Sequence, residues 1–540
     1  MVNARFLSLA ALFSALGSTQ QLLLQNSSSA CSDIFSTFTY PNVTLNFARY
    51  IPTGTNLSFE QNSELATCGR ASQVVPVDLC RVAMSVATSN RSEITLEAWL
   101  PTNWSGRFLA TGNGGLDGCI QYEDMAYGTS FGFATVGANN GHNGTSGKAF
   151  YRNEDVVIDF AWRSLHTATI VGKALTKAFY QQDYKKSYYI GCSTGGRQGF
   201  KMAQDFPDLF DGIVAGAPAL AFNNLSSWSG HFLPITGSNT SERFVPPSKW
   251  AIVHQDVLRQ CDELDGVEDG ILEDPALCAY TPVSLQCACN ATNTSACLTT
   301  PQLQTVSRVL ADYYGLRGAI VYPRMQPGAE ELAANIEFNG QSFPYTQDWI
   351  RYAVLNDPTW DPLTLNASLV AYAAAKNAGN IRTWHGDLSP FKKSGGKLLH
   401  YHGQMDQIIT SFNSPRYYQH VVASMGQPSA ELDSFYRFFR IGGMEHCGGG
   451  IGAWSIGQGA VAGASNNVTS DPQYNVLQRI IDWVEKGDSA APVSLSGVKY
   501  VDDDSSKGVD FVRKHCKYPL RNFCKDPKRY KEADAWECIP

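Results

Sequence analysis

Charge is scarce in this 540-residue chain: Asp, Glu, Lys and Arg make up 17% of it, and the formal net charge is −7. No block of Lys and Arg interrupts that slight acidity. A general nucleic-acid binder or anionic-membrane binder needs basic surface, so neither is expected. Beyond the N-terminus no apolar run is long enough for a transmembrane helix. No glycine-rich dinucleotide fingerprint follows a strand and opens a helix, so no redox cofactor is implied. No internal repeat is visible, which removes repeat architectures. Histidine is rare, with ten in all, so any histidine assigned to chemistry has to be argued from its position.

Hydrophobic residues make up 44% of the chain, enough for a sizeable core. The length suits one large domain with an inserted region, or two to three domains. Residues 1–19 read as a secretory signal: Arg5 is the positive end, residues 6–17 form an apolar run too short to span a membrane, and the small Ser18 and Thr19 follow. Fourteen cysteines suit an oxidising compartment. Twelve Asn-x-Ser/Thr acceptors occur, at Asn26, Asn42, Asn56, Asn90, Asn103, Asn143, Asn224, Asn239, Asn290, Asn293, Asn366 and Asn467. Together these features predict a secreted, extracellular glycoprotein.

Short alternating runs between residues 30 and 105, such as 92–100, predict strands. Further strands are expected at 107–111, 133–137, 186–190, 212–216, 397–401 and 434–440. Helical apolar spacing covers 161–180, 196–205 and 474–485. Strands alternating with helices imply an α/β fold with a mostly parallel sheet. The rhythm breaks between roughly 220 and 395, a stretch with glycosylation acceptors and five cysteines between 261 and 297. The expected division is a catalytic domain of residues 20–220 and 396–540, with a lid domain inserted at 221–395.

Gly191-Cys192-Ser193-Thr194-Gly195 matches G-x-S-x-G, the turn that exposes a nucleophilic serine between a strand and a helix. With 47 glycines the match could arise by chance, and the strand before it and helix after it are what give it weight. Asp406 follows the strand at 397–401, where a carboxylate can orient a histidine; capping the next helix is the ordinary alternative. His446 follows a strand and a double glycine and is placed to act as general base. His402 competes for that role but sits on the same strand end as Asp406. The chain order Ser193, Asp406, His446 is that of α/β-hydrolases. Oxyanion donors are expected from the Thr194 amide and from the Gly112–Gly115 loop, with Gly115 favoured over Gly114. Cys192 adjoins Ser193 and Cys447 adjoins His446, so a bond between them would hold base and nucleophile close, with Cα atoms about 5.5 Å apart.

These residues resemble the tannase and feruloyl esterase family of secreted fungal esterases. The resemblance is carried by Gly191–Gly199 (GCSTGGRQG), His402-Gly403 with Asp406, and His446-Cys447. It runs over nearly the whole mature chain, including the tail Cys516-Lys517-Tyr518-Pro519, and is greatest to the type-B feruloyl esterases. It implies an α/β-hydrolase fold with a lid, and hydrolysis of hydroxycinnamoyl (feruloyl or p-coumaroyl) esters of plant polysaccharides. Galloyl ester hydrolysis is the alternative within the family, and a non-catalytic binding glycoprotein the alternative outside it. The oligomeric state is not legible.

Residues 261–271 (CDELDGVEDGI) are dense in carboxylates and turn glycines, a set of hard oxygen donors suited to Ca²⁺. A solvated acidic turn is the plainer reading. The resemblance implies a structural calcium held by Asp262, Asp265 and Asp269 with the carbonyls of Val267 and Ile271. It also implies the pairings Cys31–Cys80, Cys68–Cys119, Cys192–Cys447, Cys261–Cys278, Cys287–Cys297 and Cys516–Cys538. Cys289 and Cys524 are left over, either as free thiols or exchanging roles with Cys287 and Cys516.

Overall fold

A computed structural model describes residues 28–290, 292–459 and 471–540. The expected signal at 1–19 and the acceptors Asn26 and Asn467 lie outside the described residues. The central element is a nine-stranded sheet: β1 (Val43–Ile51), β2 (Leu79–Ser89), β3 (Ser92–Pro101), β4 (Arg107–Thr111), β5 (Ala134–Ala138), β6 (Lys186–Cys192), β7 (Gly212–Gly216), β8 (Lys397–Gly403) and β9 (Tyr436–Ile441). Their spatial order is β1-β2-β3-β5-β4-β6-β7-β8-β9. The pairs β1/β2, β2/β3 and β3/β5 are antiparallel. From β5 to β9 every pairing is parallel.

Composition tracks position in this sheet. β6 reads Tyr188-Tyr189-Ile190 in its middle, and all three are at most 2% exposed. A continuous apolar run is what a strand covered on both faces requires. β1, at the edge, contains no fully buried residue. One face is covered by Leu165, Val171 and Leu175 of the helix Ser164–Tyr180, Phe200 of Thr194–Asp205, and Tyr417 and Val421 of Asn413–Met425. The other is covered by Leu477, Ile480 and Trp483 of the helix Val476–Lys486, which pack on Tyr188, Val214 and Leu399.

Between β7 and β8 runs a long insertion built mainly of helices, among them Phe222–Thr236, Pro247–Cys261, Thr300–Val309 and Ala367–Lys376. It has its own core around Trp228, Trp250, Phe338 and Trp349, which joins Phe150 and Phe160 of the sheet domain. The sheet-side packing resumes before residue 396: Leu388 and Phe391, next to and within the short helix Ser389–Lys393, pack with Leu398 and Tyr417. A five-residue helix leaves too short a periodic pattern to be read from sequence, so the break in strand–helix rhythm overruns the change of core. The helix after Ser193 likewise begins at Thr194 and not at 196. Glycines at 195 and 196 weaken the helical pattern, yet tertiary contact demands them. A Cβ on Gly196 would lie 2.2 Å from the Gly216 carbonyl oxygen.

Six disulfides tie the chain: Cys31–Cys80, Cys68–Cys119, Cys192–Cys447, Cys261–Cys278, Cys287–Cys297 and Cys516–Cys538. Cys289 is an exposed free thiol and Cys524 a buried one. The C-terminal hairpins, Ser494–Tyr500 with Val509–Cys516 and Arg521–Cys524 with Trp536–Ile539, clamp the 261–271 loop. Val267 packs with Cys524 and Trp536, and Ile271 with Phe511. Among the described residues no helix is long and apolar enough to cross a membrane.

Candidate active site

Ser193 stands at the sharp turn from β6 into the helix Thr194–Asp205, with φ 64° and ψ −122°. A non-glycine residue there stores about 1–3 kcal/mol of strain and persists only where its surroundings enforce it. They do so here: the Ser193 amide donates to the Gly216 carbonyl at 3.0 Å, and its own carbonyl accepts from Arg197 and Ala219. Close approach fixes the glycines on either side, since a Cβ on Gly191 would meet the Tyr189 hydroxyl at 2.5 Å. Arg197, fully buried, braces the helix from behind by donating to the carbonyls of Ala161 and Phe160. Burial pushes its guanidinium down to about 10 against a favourable interaction with Tyr189.

Asp406 follows β8 and is fully buried. Its Oδ1 accepts from the amides of Ile408 and Ile409 at 2.9 and 2.8 Å. Its Oδ2 meets His446 Nδ1 at 2.7 Å and His402 Nε2 at 3.1 Å. Burial alone would raise this carboxyl, but the His446 charge and the hydrogen bonds from both histidines outweigh it and hold it well below the usual carboxylate range. His402 is buried behind Asp406, its Nδ1 on Ser414 Oγ at 2.6 Å. It steadies the carboxylate and does not line the cavity that holds Ser193. His446 reaches that cavity from the loop after β9, its amide donating to Gln407 Oε1 at 3.0 Å. The disulfide from Cys447 to Cys192, with a Cα–Cα distance of 5.9 Å, joins the two loops one residue away from His446 and from Ser193.

Ser193 lies where two cavities meet. The larger, about 230 Å³, is walled by Gly112–Gly115, Gln121, Asp124, His446 and Gln458. The smaller, about 40 Å³, is walled by Ala219, Phe222, Leu225, Ser226, Ser229, Phe343 and Thr346. Gly115, Ser193, Tyr345 and Ile408 belong to both. Among the described residues nothing accepts a hydrogen bond from the amides of Thr194, Gly114 or Gly115. The Asn113 amide, by contrast, is engaged by Gln198 Oε1 at 3.0 Å. Gly115 has φ +43°, and a Cβ there would lie 2.6 Å from the Tyr345 ring. Its carbonyl accepts from the Thr194 hydroxyl at 2.7 Å, which pins the glycine loop against the serine turn. Free amides beside a half-buried serine that lines the cavity are the arrangement that stabilises a developing oxyanion.

Three contributors escaped sequence reasoning. Gln198 was visible only as part of a motif, yet it holds Asn113 by two hydrogen bonds. Gln407 steadies the His446 backbone. Tyr345 comes from the insertion and partitions the two cavities. No local pattern signals such long-range contacts.

At the 261–271 loop, Asp262 accepts from the Gly270 amide and Asp269 from the Ile271 amide and Arg513. Asp265 Oδ2 accepts from the Glu273 amide, while its Oδ1 is buried without a partner. Burial, with Glu273 nearby, pushes Asp265 up to about 8. Burial also raises Asp262 and Asp269. As oriented, no three acidic, His or Cys side chains among the described residues surround a common metal position. The orphaned Asp265 oxygen and the all-oxygen donor set nevertheless fit a hard cation.

A family model described as tannase and feruloyl esterase matches residues 80–539. A probable feruloyl esterase B-2 from Aspergillus terreus is 54% identical over 509 residues, covering 94% of this chain and 95% of that protein. Two solved structures cover 95% of this chain and are themselves covered fully. One is an esterase from Aspergillus oryzae (50% identity, TM-score 0.91) and the other is feruloyl esterase B from Aspergillus oryzae (48%, TM-score 0.90). With the parallel sheet and the serine turn at the end of β6, these similarities assign the fold as an α/β-hydrolase and the chain as a member of the tannase and feruloyl esterase family.

Proposed function

We propose that this protein is a secreted serine esterase that hydrolyses hydroxycinnamoyl esters, feruloyl or p-coumaroyl, of plant cell-wall polysaccharide. The observation that carries the reading is Ser193 on a strained turn in the cavity that also receives His446, itself bonded to buried Asp406. Ser193 attacks the ester carbonyl while His446 takes its proton. The oxyanion is held by the amides of Thr194 and of Gly115 or Gly114. His446 returns the proton to the leaving sugar alcohol, then activates the water that cleaves the acyl-enzyme. Asp406 keeps the imidazole in the tautomer with Nδ1 protonated and stabilises its charged form. The names of the relatives, feruloyl esterase B and B-2, support this substrate class over a galloyl ester.

The insertion acts as a lid, supplying Phe222, Phe343 and Tyr345 to the walls around Ser193. The 261–271 loop holds a structural Ca²⁺ through Asp262, Asp265, Asp269 and the Val267 and Ile271 carbonyls; the ion stiffens the loop and takes no part in the reaction. Replacing Ser193 by Ala tests the main reading. Turnover of methyl ferulate is expected to fall by roughly 10³-fold or more in a folded protein. A serine-directed phosphonate is expected to label Ser193 and nothing else. Turnover retained by S193A would remove Ser193 as the nucleophile.

A further inference from the structure

The small cavity beside Ser193 has a direction. It begins at Ala219, whose amide donates to the Ser193 carbonyl at 3.1 Å. It then follows one face of the helix Phe222–Thr236 through Phe222, Leu225, Ser226 and Ser229. Spacings of 3, 4 and 7 put these side chains in one row, about 10 Å long at 1.5 Å per residue. The row is apolar near the serine and turns polar at its far end.

Glu337, 2% exposed, does not line the cavity but interacts with Ser229 at that far end. Both of its carboxylate oxygens are buried without a hydrogen-bond partner among the described residues. Burial pushes its pKa well above the ordinary carboxylate value, against an opposing interaction with Ser229. An unpaired buried carboxyl is costly. The mechanism above gives it no role.

We propose that Glu337, acting with Ser229, is the specificity residue that binds the para-hydroxyl of the aromatic acyl group during ester hydrolysis. A cinnamoyl acyl group spans about 8 Å from its carbonyl carbon to that hydroxyl by ordinary bond lengths. With a hydrogen bond of about 3 Å added, the hydroxyl comes within reach of the polar end of the row while the carbonyl stays at Ser193. A galloyl group lacks the two vinyl carbons and stops about 2.5 Å short. The cavity, about 40 Å³, is well below the roughly 300 Å³ of a typical ligand pocket. Entry of the acyl group accordingly requires its walls to move, and Tyr345, 38% exposed and shared with the larger cavity, is the wall able to swing outward.

This inference rests on the proposed esterase reading, and its test separates the two. The kcat/KM of methyl p-coumarate is measured against that of methyl cinnamate, which lacks the hydroxyl, for wild type, Glu337→Met, Glu337→Gln and Ser229→Ala. The coumarate-to-cinnamate ratio is expected to fall at least tenfold in E337M and to be largely restored in E337Q, which keeps a hydrogen-bonding group. Because an unpaired buried carboxyl is removed, E337M should melt no lower than wild type. If E337M leaves the ratio unchanged, or both esters fall together, Glu337 has a structural role only and the inference is overturned. If E337M fails to fold, the ratio in S229A decides by the same criterion. Wild-type inactivity on both esters with turnover of simple acetate esters would instead overturn the hydroxycinnamoyl reading. Binding of p-coumaric and cinnamic acids to S193A by calorimetry gives a readout independent of turnover: the hydroxylated acid should bind more tightly, and E337M should erase the difference.

Discussion

Replacing both Cys192 and Cys447 by Ala should damage catalysis far more than it damages the fold. The bridge closes a loop of 255 residues, for which the chain-entropy relation gives about 5 kcal/mol. The shortcuts through Cys261–Cys278 and Cys287–Cys297 remove only 17 and 10 residues from that loop, so the logarithm barely changes. A protein held by five other disulfides and a nine-stranded sheet is expected to remain folded after a loss of that size. The His446 loop keeps its hydrogen bonds to Asp406 and Gln407 but loses its covalent link to the Ser193 turn. A displacement of about 1 Å between base and nucleophile costs on the order of 10²-fold in rate. The expected result is a kcat on methyl ferulate reduced 10- to 100-fold, by the same relation, with KM little changed and a native circular dichroism spectrum at 25 °C. A folded double mutant with wild-type kcat would refute the argument that the bridge positions the base. Loss of folding at 25 °C would show that the entropy estimate is too small.

Asp406→Asn is expected to lower kcat by about 10⁴-fold through the wrong imidazole tautomer, checked by steady-state kinetics. Because the folded Asp406 pKa is lowered, its stabilisation is complete above its unfolded pKa near 3.8 and is lost progressively as pH falls from there through the lower folded value. Melting curves of D406N should therefore lose part of the acid-side drop expected of wild type. Gly196→Ala should cut soluble yield and melting temperature by an overpacking penalty of about 1–3 kcal/mol or more, since the new methyl meets the Gly216 carbonyl at 2.2 Å. Prolonged chelation should lower the melting temperature, Ca²⁺ should restore it, and Asp265→Asn should blunt the response. A melting curve unmoved by chelator would argue against the calcium loop.

The parallel half of the sheet was legible because its strands are apolar runs of five to seven residues next to helical spacings. The serine turn was legible because glycine spacing records close backbone approach. Sheet order was not: β5 inserts between β3 and β4, and no property of residues 134–138 alone says so. The insertion was legible only as a loss of rhythm, since short helices packed on one another leave no long period to read. Glu337 has no sequence signal at all, because its meaning lies in the missing partners around it. His402 shows the converse. Proximity to Asp406 in sequence made it a rival base, and only burial on Ser414 reveals it as a support.

The sheet also explains why a covalent link sits at this point. Ser193 leaves the end of β6 and His446 the loop after β9, and β7 and β8 lie between them. Three strand spacings amount to about 14 Å, so the His446 loop must fold back across two strand ends to reach the serine. The chain reaches His446 through Gly442-Gly443-Met444-Glu445, in which Met444 is buried, and leaves it through Cys447-Gly448-Gly449-Gly450-Ile451, which contains no buried apolar side chain and in which Ile451 is 46% exposed. Hydrophobic packing therefore anchors this loop at Met444, two residues before the imidazole, and gives no hold beyond it. Cys447 takes φ 67°, a strained value for a side chain of its type. A weakly packed, glycine-rich, locally strained loop would sample many positions, and two hydrogen bonds from His446 constrain its orientation more than its distance from Ser193. The disulfide supplies that distance. Mild reduction of the native enzyme should on this reasoning lower kcat before any change in far-ultraviolet dichroism, and loss of activity only in step with unfolding would show that packing, not the bridge, sets the position of the base.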